Sequence, residues 1–507
     1  MKEGNMRARL GSLSGFAVLI AGCTVGPDYE LPDYSVPDAW RTAVVAELED
    51  EDQPLEMWWT ELQDTVLTDL IRRAELANLN LQAAVARVAE ARARRGIAKG
   101  GYYPDIFLGG AYSYQKVSDK GVEGAVGGDG DGEAGGDGDG SPLSDPFSSW
   151  VFGLDLRWEL DLFGRVRRTV ESATASMQAS VEDYRDVLVT LYAEVASAYV
   201  DIRTFQQRLS FARQNAQAQE ESLELTRDRY LAGLTSVLDV AQAEQNLATT
   251  RSLIPTLETG LEASLNRLAV LLAQTPGSLH EELGIVRPIP EPTEAVAVGI
   301  PADLLRRRPD IRRAERELAA QTARIGAATA ELYPSFSIGG SVGLEALDFT
   351  DLGSAGTGFF SIFPSFDWPI FTAGKIRNQI RVEEARTEQA LVAYELTVLE
   401  ALQEVQDAIV AYAQETIRRG RLLEAVNASQ RAVELVRTQY LSGLTNFQNV
   451  LDTQRSLFEQ QDLLADSEGL VVQNLILLNR SLGGGWQVGG DPTLEARATG
   501  QGEDVGG

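Results

Sequence analysis

The sequence predicts a mixed helical and β-stranded membrane protein whose chain contains two copies of one unit. Four segments alternate apolar and polar residues, which is typical of strands with one apolar face. Two proline-free stretches rich in helix-forming residues, 164–232 and 374–441, are far longer than a globular helix. Several motifs recur at constant offsets, which indicates an internal duplication. The fold class expected is a 12-stranded β-barrel, with four strands per protomer, continued by a long periplasmic α-helical coiled-coil barrel; a trimer is the simplest closure, although the patterns alone do not count subunits.

The duplication shows in matching short motifs. The hexapeptide 230–235 (YLAGLT) returns as 440–445 (YLSGLT), an offset of 210 residues. Further upstream the offset is 230, because Tyr103-Pro104 returns as Tyr333-Pro334. The difference indicates an insertion in the first copy, within a Gly/Asp-rich segment around 121–141 that cannot bury a core. Its glycines and aspartates lack the nine-residue spacing of calcium-binding repeats, so we expect a mobile loop.

These patterns divide the chain into five parts. We expect a signal peptide, an anchor segment, two repeats and a disordered tail, at 1–22, 23–62, 63–280, 281–482 and 483–507 respectively.

The strands are expected to cross a bilayer. They are predicted at about 104–116, 148–160, 334–345 and 358–370, long enough for tilted membrane strands. In the second strand, Trp150 to Leu160 alternate with a polar set that includes Asp155, Arg157 and Glu159. The alternative is a sheet packed on a soluble core, but such a row of charges suits a wet lumen better. Four strands leave open edges, which are costly in lipid, and three copies would close a barrel with a water-filled interior.

The helices are expected to form hairpins about 100 Å long, at 1.5 Å per residue. The return segments, 236–273 and 446–482, carry apolar residues at a spacing of seven, which favours left-handed coiled-coil packing. Pro255 lies within one return helix and should kink it or force a local repair.

The amino terminus is typical of an exported lipoprotein. Lys2, Arg7 and Arg9 precede a short apolar stretch that ends in Ala21-Gly22-Cys23. This ending resembles the lipobox of bacterial lipoproteins, which predicts cleavage before Cys23 and its lipidation. Thr24, rather than Asp, follows the cysteine, which fits sorting to the outer membrane. The alternative is an ordinary signal peptide with an incidental cysteine.

Composition excludes several classes of function. The net charge of −29 argues against a nucleic-acid partner, since phosphate binding needs clustered Lys and Arg. Cys23 and His280 are the sole cysteine and histidine, so an internal disulfide and a Cys/His metal site are excluded. No nucleophile–base pair or metal cluster is recognisable, and we expect no cofactor, no metal and no enzymatic activity.

Several motifs in order resemble one known family. They are Gly26-Pro27-Asp28-Tyr29, Arg307-Arg308-Pro309-Asp310-Ile311, the two Tyr-x-x-Gly-Leu-Thr segments, 451–457 (LDTQRSL) and 482–486 (LGGGW). Over about residues 20–490 the chain looks like the outer membrane efflux proteins, the TolC/OprM relatives, in their NodT-type branch. The resemblance implies a homotrimeric, passive channel in a tripartite efflux system. It would receive drugs, toxic organics or metal ions from an inner-membrane pump, of the proton-driven RND type, through a periplasmic adaptor.

The resemblance also implies functional residues. The adaptor-docking tip would comprise Gly233, Leu234, Thr235, Gly443, Leu444 and Thr445, although turn chemistry alone could explain these glycines. Asp452 matches the family's constricting aspartate ring, and a solvated helix face is the alternative. Asn449 stands where some relatives carry a second ring aspartate, and Thr445 where they carry a locking arginine. Closure is therefore expected to use other contacts, such as one from Tyr440.

Two rival functions remain open from sequence. A type I protein secretion duct would share the architecture, and neighbouring genes for an ABC exporter would indicate it. A structural periplasmic coiled-coil lipoprotein would instead show no ion conductance in planar bilayers.

Overall fold

The computed structural model describes residues 24–33, 36–37, 40, 55–116, 146–291 and 307–487. The predicted signal peptide, the lipidation site Cys23, the core of the Gly/Asp-rich loop and most of the predicted tail lie outside the described residues. Those expectations, and the predicted domain boundaries, stay predictions.

Four strands form one antiparallel sheet in the order β1-β2-β3-β4. Their bounds are Asp105–Gln115 (β1), Phe147–Leu160 (β2), Ser335–Ala346 (β3) and Gly358–Asp367 (β4). Each strand pairs with the next along the chain, and β1 and β4 form the two edges. The predicted number and location of strands are confirmed. Because both edges lack a partner within the described residues, the sheet requires another copy to close.

The two faces of the sheet differ sharply in chemistry. Directly opposed residues share a face, so the register places Ile106, Leu156 and Gly340 on one side and Asp105, Arg157 and Gly339 on the other. The first side, here the apolar face, continues with exposed Phe360 and Ile362. We call the second side the polar face.

The internal repeat is visible where strands meet helices. The indole Nε1 of Trp158, near the end of β2, donates to the Tyr102 carbonyl at 3.0 Å. Its repeat counterpart Trp368 donates to the Leu332 carbonyl at 3.1 Å. In both repeats, the same hydrogen bond therefore joins the end of the second strand to the segment that precedes the first strand.

Seven α-helices longer than two turns lie within the described residues. They are Thr65–Ala77 (α1), Leu79–Gly100 (α2), Arg165–Leu231 (α3), Val237–Leu271 (α4), Pro309–Ala330 (α5), Lys375–Leu441 (α6) and Phe447–Ser481 (α7). Both α3 and α6 have 67 residues, or about 100 Å at 1.5 Å per residue. The predicted long helices are confirmed, and within the described residues no helix has a span apolar enough to cross a membrane.

Local side chains fix where these helices begin. Asp161 accepts hydrogen bonds from the amides of Val166 and Arg167, both at 2.9 Å, at the start of α3. Ser236 and Asp239 form a reciprocal capping box at the start of α4. Helix α4 then runs unbroken through Pro255, so the proline does not end the helix.

Two compact units make up the chain. One comprises 1–30, 93–175 and 319–388 and contains the four strands; the other comprises 31–92, 176–318 and 389–507. The core of the second unit is a large cluster that includes fully buried Tyr192, Leu268 and Leu478. Leu268 and Leu478 belong to the predicted seven-residue spacing, which explains their burial.

Candidate functional site: the helical tips

The reversals between long helices have the same backbone geometry in both repeats. The Leu234 amide donates to the Arg229 carbonyl at 2.8 Å, and the Leu444 amide donates to the Gln439 carbonyl at 2.9 Å. Gly233 and Gly443 have φ of +73° and +72°. This is the Schellman arrangement, in which glycine adopts the left-handed conformation that other residues avoid.

Both reversals expose apolar side chains. Leu234 is 67% exposed and Leu444 is 79% exposed. Leu231, Val237 and Leu238 are also exposed near Leu234, and Leu441 is exposed near Leu444. Exposed apolar side chains at both reversals of an otherwise acidic chain are a candidate contact surface for another protein. The predicted tip residues therefore lie at two equivalent, accessible positions.

Behind the tips, side chains of both hairpins form one small core. Leu223 of α3, Leu247 of α4, Tyr440 of α6 and Leu451 of α7 are all buried in it. The Tyr440 ring is only 5% exposed and packs 5.4 Å from the Phe447 ring, measured between centroids. The guanidinium carbon of Arg229 lies 4.6 Å from the Tyr440 ring centroid. Tyr440 is thus a packing residue here, and its ring does not face open space within the protomer.

The other two predicted constriction residues are accessible. Asn449 and Asp452 are exposed in the first turns of α7. Gln448 donates to the Asp452 carboxylate at 2.9 Å, and the Asn449 amide nitrogen donates to the Thr445 hydroxyl at 2.7 Å. Asn449 therefore holds Thr445, so the predicted constriction and docking positions are directly linked in the second hairpin.

Polar residues join the two hairpins above this core. The Gln454 amide donates to the Ser222 hydroxyl at 2.8 Å, and Arg455 Nε donates to the Asn246 carbonyl oxygen at 2.9 Å. Nearby, both side-chain polar atoms of buried Gln219 lack a hydrogen-bond partner, as does the Tyr440 hydroxyl. Unsatisfied buried groups are costly, so they offset part of the stabilisation that the hydrogen bonds between the hairpins provide. Sequence reasoning did not identify these residues.

The first hairpin has cross-links that the second cannot form. Three ion pairs join α3 to α4 at spacings of seven residues, namely Arg227–Glu244 at 2.6 Å, Glu220–Arg251 at 2.7 Å and Arg213–Glu258 at 2.8 Å. The repeat-equivalent positions in the second hairpin are Arg437 with Gln454, Gln430 with Gln461, and Leu423 with Glu468. None of these pairs has opposite charges, so this ladder of exposed ion pairs, each contributing at most about 1 kcal/mol, belongs to the first hairpin alone.

The segment directly after Cys23 is docked on the strand-bearing unit. Arg168, 4% exposed, donates to the Val25 carbonyl at 3.2 Å, the Gly26 carbonyl at 3.3 Å and the Asp28 carboxylate at 2.7 Å. The Val25 amide donates to the Phe163 carbonyl at 3.2 Å. Residues 24–29 therefore form a strap beside the start of α3, in which Gly26 and Asp28 of the Gly-Pro-Asp-Tyr motif accept hydrogen bonds from Arg168.

Within the described part of the chain, no cluster of His, Cys, Asp or Glu could hold a metal ion. His280 instead pairs with Glu262 at 2.7 Å, and its Nδ1 donates to the Gly277 carbonyl at 2.8 Å. Both interactions raise the His280 pKa, the backbone hydrogen bond most.

A sheet with one apolar and one polar face, joined to paired helices of this length, defines a channel-forming outer-membrane protein. The sequence model of the family "Outer membrane efflux protein" matches residues 70–274 and 300–484, and the chain belongs to this family. The resemblance inferred from the sequence motifs is confirmed.

Relatives and solved structures agree. The chain is 30% identical to nodulation protein T of Rhizobium leguminosarum bv. trifolii over 472 residues, covering 93% of this chain and 96% of that protein. It is 31% identical to outer membrane protein OprJ of Pseudomonas aeruginosa over 479 residues, covering 93% of this chain and 95% of that protein. The structure resembles the outer-membrane channel OprN with a TM-score of 0.84 and 35% identity, covering 92% of this chain and all of that one. The chain is therefore an outer-membrane efflux channel component, with the fold class predicted from its sequence.

Proposed function

We propose that three copies of this chain form a passive exit channel for small molecules delivered by an inner-membrane pump through a periplasmic adaptor. The observation that carries this proposal is the pair of repeat-related reversals, each presenting an exposed leucine beside a left-handed glycine. A fibrous tether would need neither these apolar tips nor a sheet with an apolar outer face. The chain's role is conduction and not catalysis, and its cargo comprises drugs, toxic organics or metal ions.

The adaptor contact is assigned to Gly233-Leu234-Thr235 and Gly443-Leu444-Thr445. Exposed Leu234 and Leu444 supply apolar contact area, and the rigid Schellman turns hold them in a fixed orientation. Because the two reversals share their geometry, one adaptor type can dock at both. The pump behind the adaptor is proposed to be a proton-driven RND transporter.

Closure is assigned to the second hairpin. Three copies of exposed Asp452 would surround the axis with negative charge and favour cations, and Asn449 would line the same level. Tyr440 contributes indirectly, because Arg229 of the first hairpin contacts its ring. Breaking that contact frees α6 and α7 to move while the ion-paired first hairpin stays in place.

A lipid anchor at Cys23 completes the proposal. The strap begins one residue after this cysteine, and Arg168 holds it against the strand-bearing unit. An acyl chain on Cys23 would thus attach to outer-membrane lipid from a fixed point, at about 0.8 kcal/mol per buried methylene.

The test is a tip variant carrying both Leu234→Asp and Leu444→Asp. Co-expression with the adaptor and site-specific crosslinking at Thr445 should show loss of the complex, while trimer formation and bilayer conductance persist. Leu76→Asp is a matched control, since Leu76 is equally exposed but lies in α1. Undiminished crosslinking of the double variant would refute the docking assignment. Absence of conductance in both the purified wild-type trimer and its Arg229→Ala variant would refute the channel itself.

A further inference from the structure

Phe363 is one of four phenylalanines on the polar face of the sheet, where small and charged residues predominate. Phe363 of β4 is directly opposite Gly339 of β3, which in turn is opposite Arg157 of β2. Opposed residues share a face, so Phe363 lies on the same side as Arg157 and opposite to Phe360 and Ile362. In a closed barrel with the apolar face toward lipid, Phe363 faces the water-filled lumen.

The local geometry makes Phe363 a platform. Its ring lies across β3, with ring carbons occupying the space that a Cβ on Gly339 would take. Hydroxyl pairs flank it on both sides, Ser337 with Ser365 at 2.9 Å and Ser341 with Ser361 at 2.6 Å. The side chain is nevertheless 55% exposed, because its neighbours on this face are too small to cover it.

A purely structural explanation is that the ring covers an otherwise bare glycine. The internal duplication provides a comparison for this explanation. The repeat-equivalent pair is Gly109 opposite Gly153, which has the same register without any aromatic cover. The first repeat therefore builds this position without an aromatic ring, and covering a glycine does not account for Phe363.

Three more phenylalanines share the polar face, and one of them, Phe147, lies opposite Gln115 at the far end of the β1–β2 pair. Phe107 of β1 is opposite Asp155, and Phe359 of β4 is opposite Gly343. Phe107 is as exposed as Phe363. Both strands are edges of the sheet, so closure by further copies brings β4 of one protomer beside β1 of the next. Acidic Asp105 and Asp155 outnumber Arg157 at these levels, which favours positively charged molecules.

We propose that Phe363 is a stacking site for planar aromatic cations inside the barrel, completed at the protomer seam by Phe107 of the adjacent copy. This inference rests on the proposed channel function and names a class of molecule that the lumen retains briefly. The exposed ring face attracts both aromatic surface and positive charge, and the serine hydroxyls leave room for a flat ligand. Such a site slows passage only slightly, because a single stacking contact is weak.

The experiment is an ethidium titration of the full-length trimer in lipid nanodiscs, followed by fluorescence anisotropy. Phe363→Leu keeps an apolar cover on Gly339 but removes the aromatic ring, and should raise the ethidium dissociation constant about three- to tenfold. Phe363→Trp should lower it, since indole is the better cation–π partner. Phe360→Leu is the matched control, because Phe360 lies on the opposite face of the same strand.

Several outcomes would overturn the stacking site. These are absence of saturable ethidium binding to the wild type, equal binding by wild type and Phe363→Leu, or an equal loss in Phe360→Leu. If Phe363→Leu does not assemble, Phe363→Trp decides alone, and unchanged affinity rejects the site. Binding is measured without an adaptor or an open pore, so failure here is distinct from failure of docking or conductance.

Discussion

Arg229 and Tyr440 form a cation–π contact between the two hairpins, with 4.6 Å from the guanidinium carbon to the ring centroid. Arg229 is one residue before Tyr230, the repeat counterpart of Tyr440. The tyrosine hydroxyl is buried without a hydrogen-bond partner, as is Arg229 Nε. The ring face, rather than the hydroxyl, therefore provides the attraction.

Replacing Arg229 should loosen the tip. A partly buried cation–π contact contributes about 1–2 kcal/mol, so Arg229→Ala should increase the open fraction by roughly an order of magnitude. Single-channel recording of the purified trimer at fixed salt measures this fraction. Tyr440→Phe keeps the ring and removes an unsatisfied hydroxyl, so it should leave gating unchanged and slightly raise stability. A hydroxyl-dependent latch would give the reverse result, with Tyr440→Phe as open as Arg229→Ala.

Gly443→Ala should strain the second reversal. Its φ of +72° lies in the left-handed region, where an L-residue costs about 1–2 kcal/mol. No atom lies within 4 Å of the added Cβ, so the effect is conformational rather than steric. Adaptor crosslinking should weaken, while the thermal unfolding of the rest of the chain is little changed. Ser442→Ala serves as the comparison, and equal crosslinking by both variants would argue against a rigid turn.

Arg168→Ala should release the strap at residues 24–29. Its hydrogen bonds to Val25, Gly26 and Asp28 would all be lost, and each charge-assisted bond contributes about 1.5–3 kcal/mol. Hydrogen exchange at the Val25 amide should accelerate at least tenfold. Arg168→Lys should rescue only partly, because an ammonium cannot reach several acceptors as a planar guanidinium does. Unaltered exchange at Val25 in both variants would show that packing alone holds the strap.

His280 should make stability depend on pH. Its pKa is raised by the Gly277 carbonyl first and by Glu262 second, so the folded state favours the protonated ring. The resulting stabilisation is complete below the ordinary pKa of about 6.5 and is lost as pH rises through the folded-state pKa. His280→Gln should remove this component from denaturant unfolding curves measured between pH 5.5 and 8. Glu262→Gln should reduce it, and a His280→Gln curve that keeps the wild-type pH dependence would assign it to another group.

Regular patterns allowed much of the fold to be predicted from sequence. The alternation of apolar and polar residues located the strands. The helix-forming composition, together with Gly233 and Gly443, located the hairpins. The burial of Tyr440 could not be predicted, because it depends on Arg229, which is 211 residues earlier in the chain. Likewise, Pro255 is accommodated within a continuous helix by the surrounding packing, which local rules do not describe.

The polar face of the sheet shows the same limit of prediction from the sequence. Alternation correctly assigned Asp155 and Arg157 to it, but the phenylalanines at 107, 147, 359 and 363 share that face despite their apolar character. Only the register, which pairs Phe363 with Gly339, shows where the ring lies. The comparison with Gly109 and Gly153 then depends on recognising the duplication.

Only the first hairpin carries the three seven-spaced ion pairs, and this has a consequence for symmetry. Three copies placed around an axis supply six hairpins of similar length. Hairpins that carry the three ion pairs alternate with hairpins that lack them. In such a ring, every second hairpin lacks the ion pairs and would move more easily than its two neighbours. Under the closure proposed above, the pore would widen at the three second hairpins, one per copy, while the three first hairpins keep their positions.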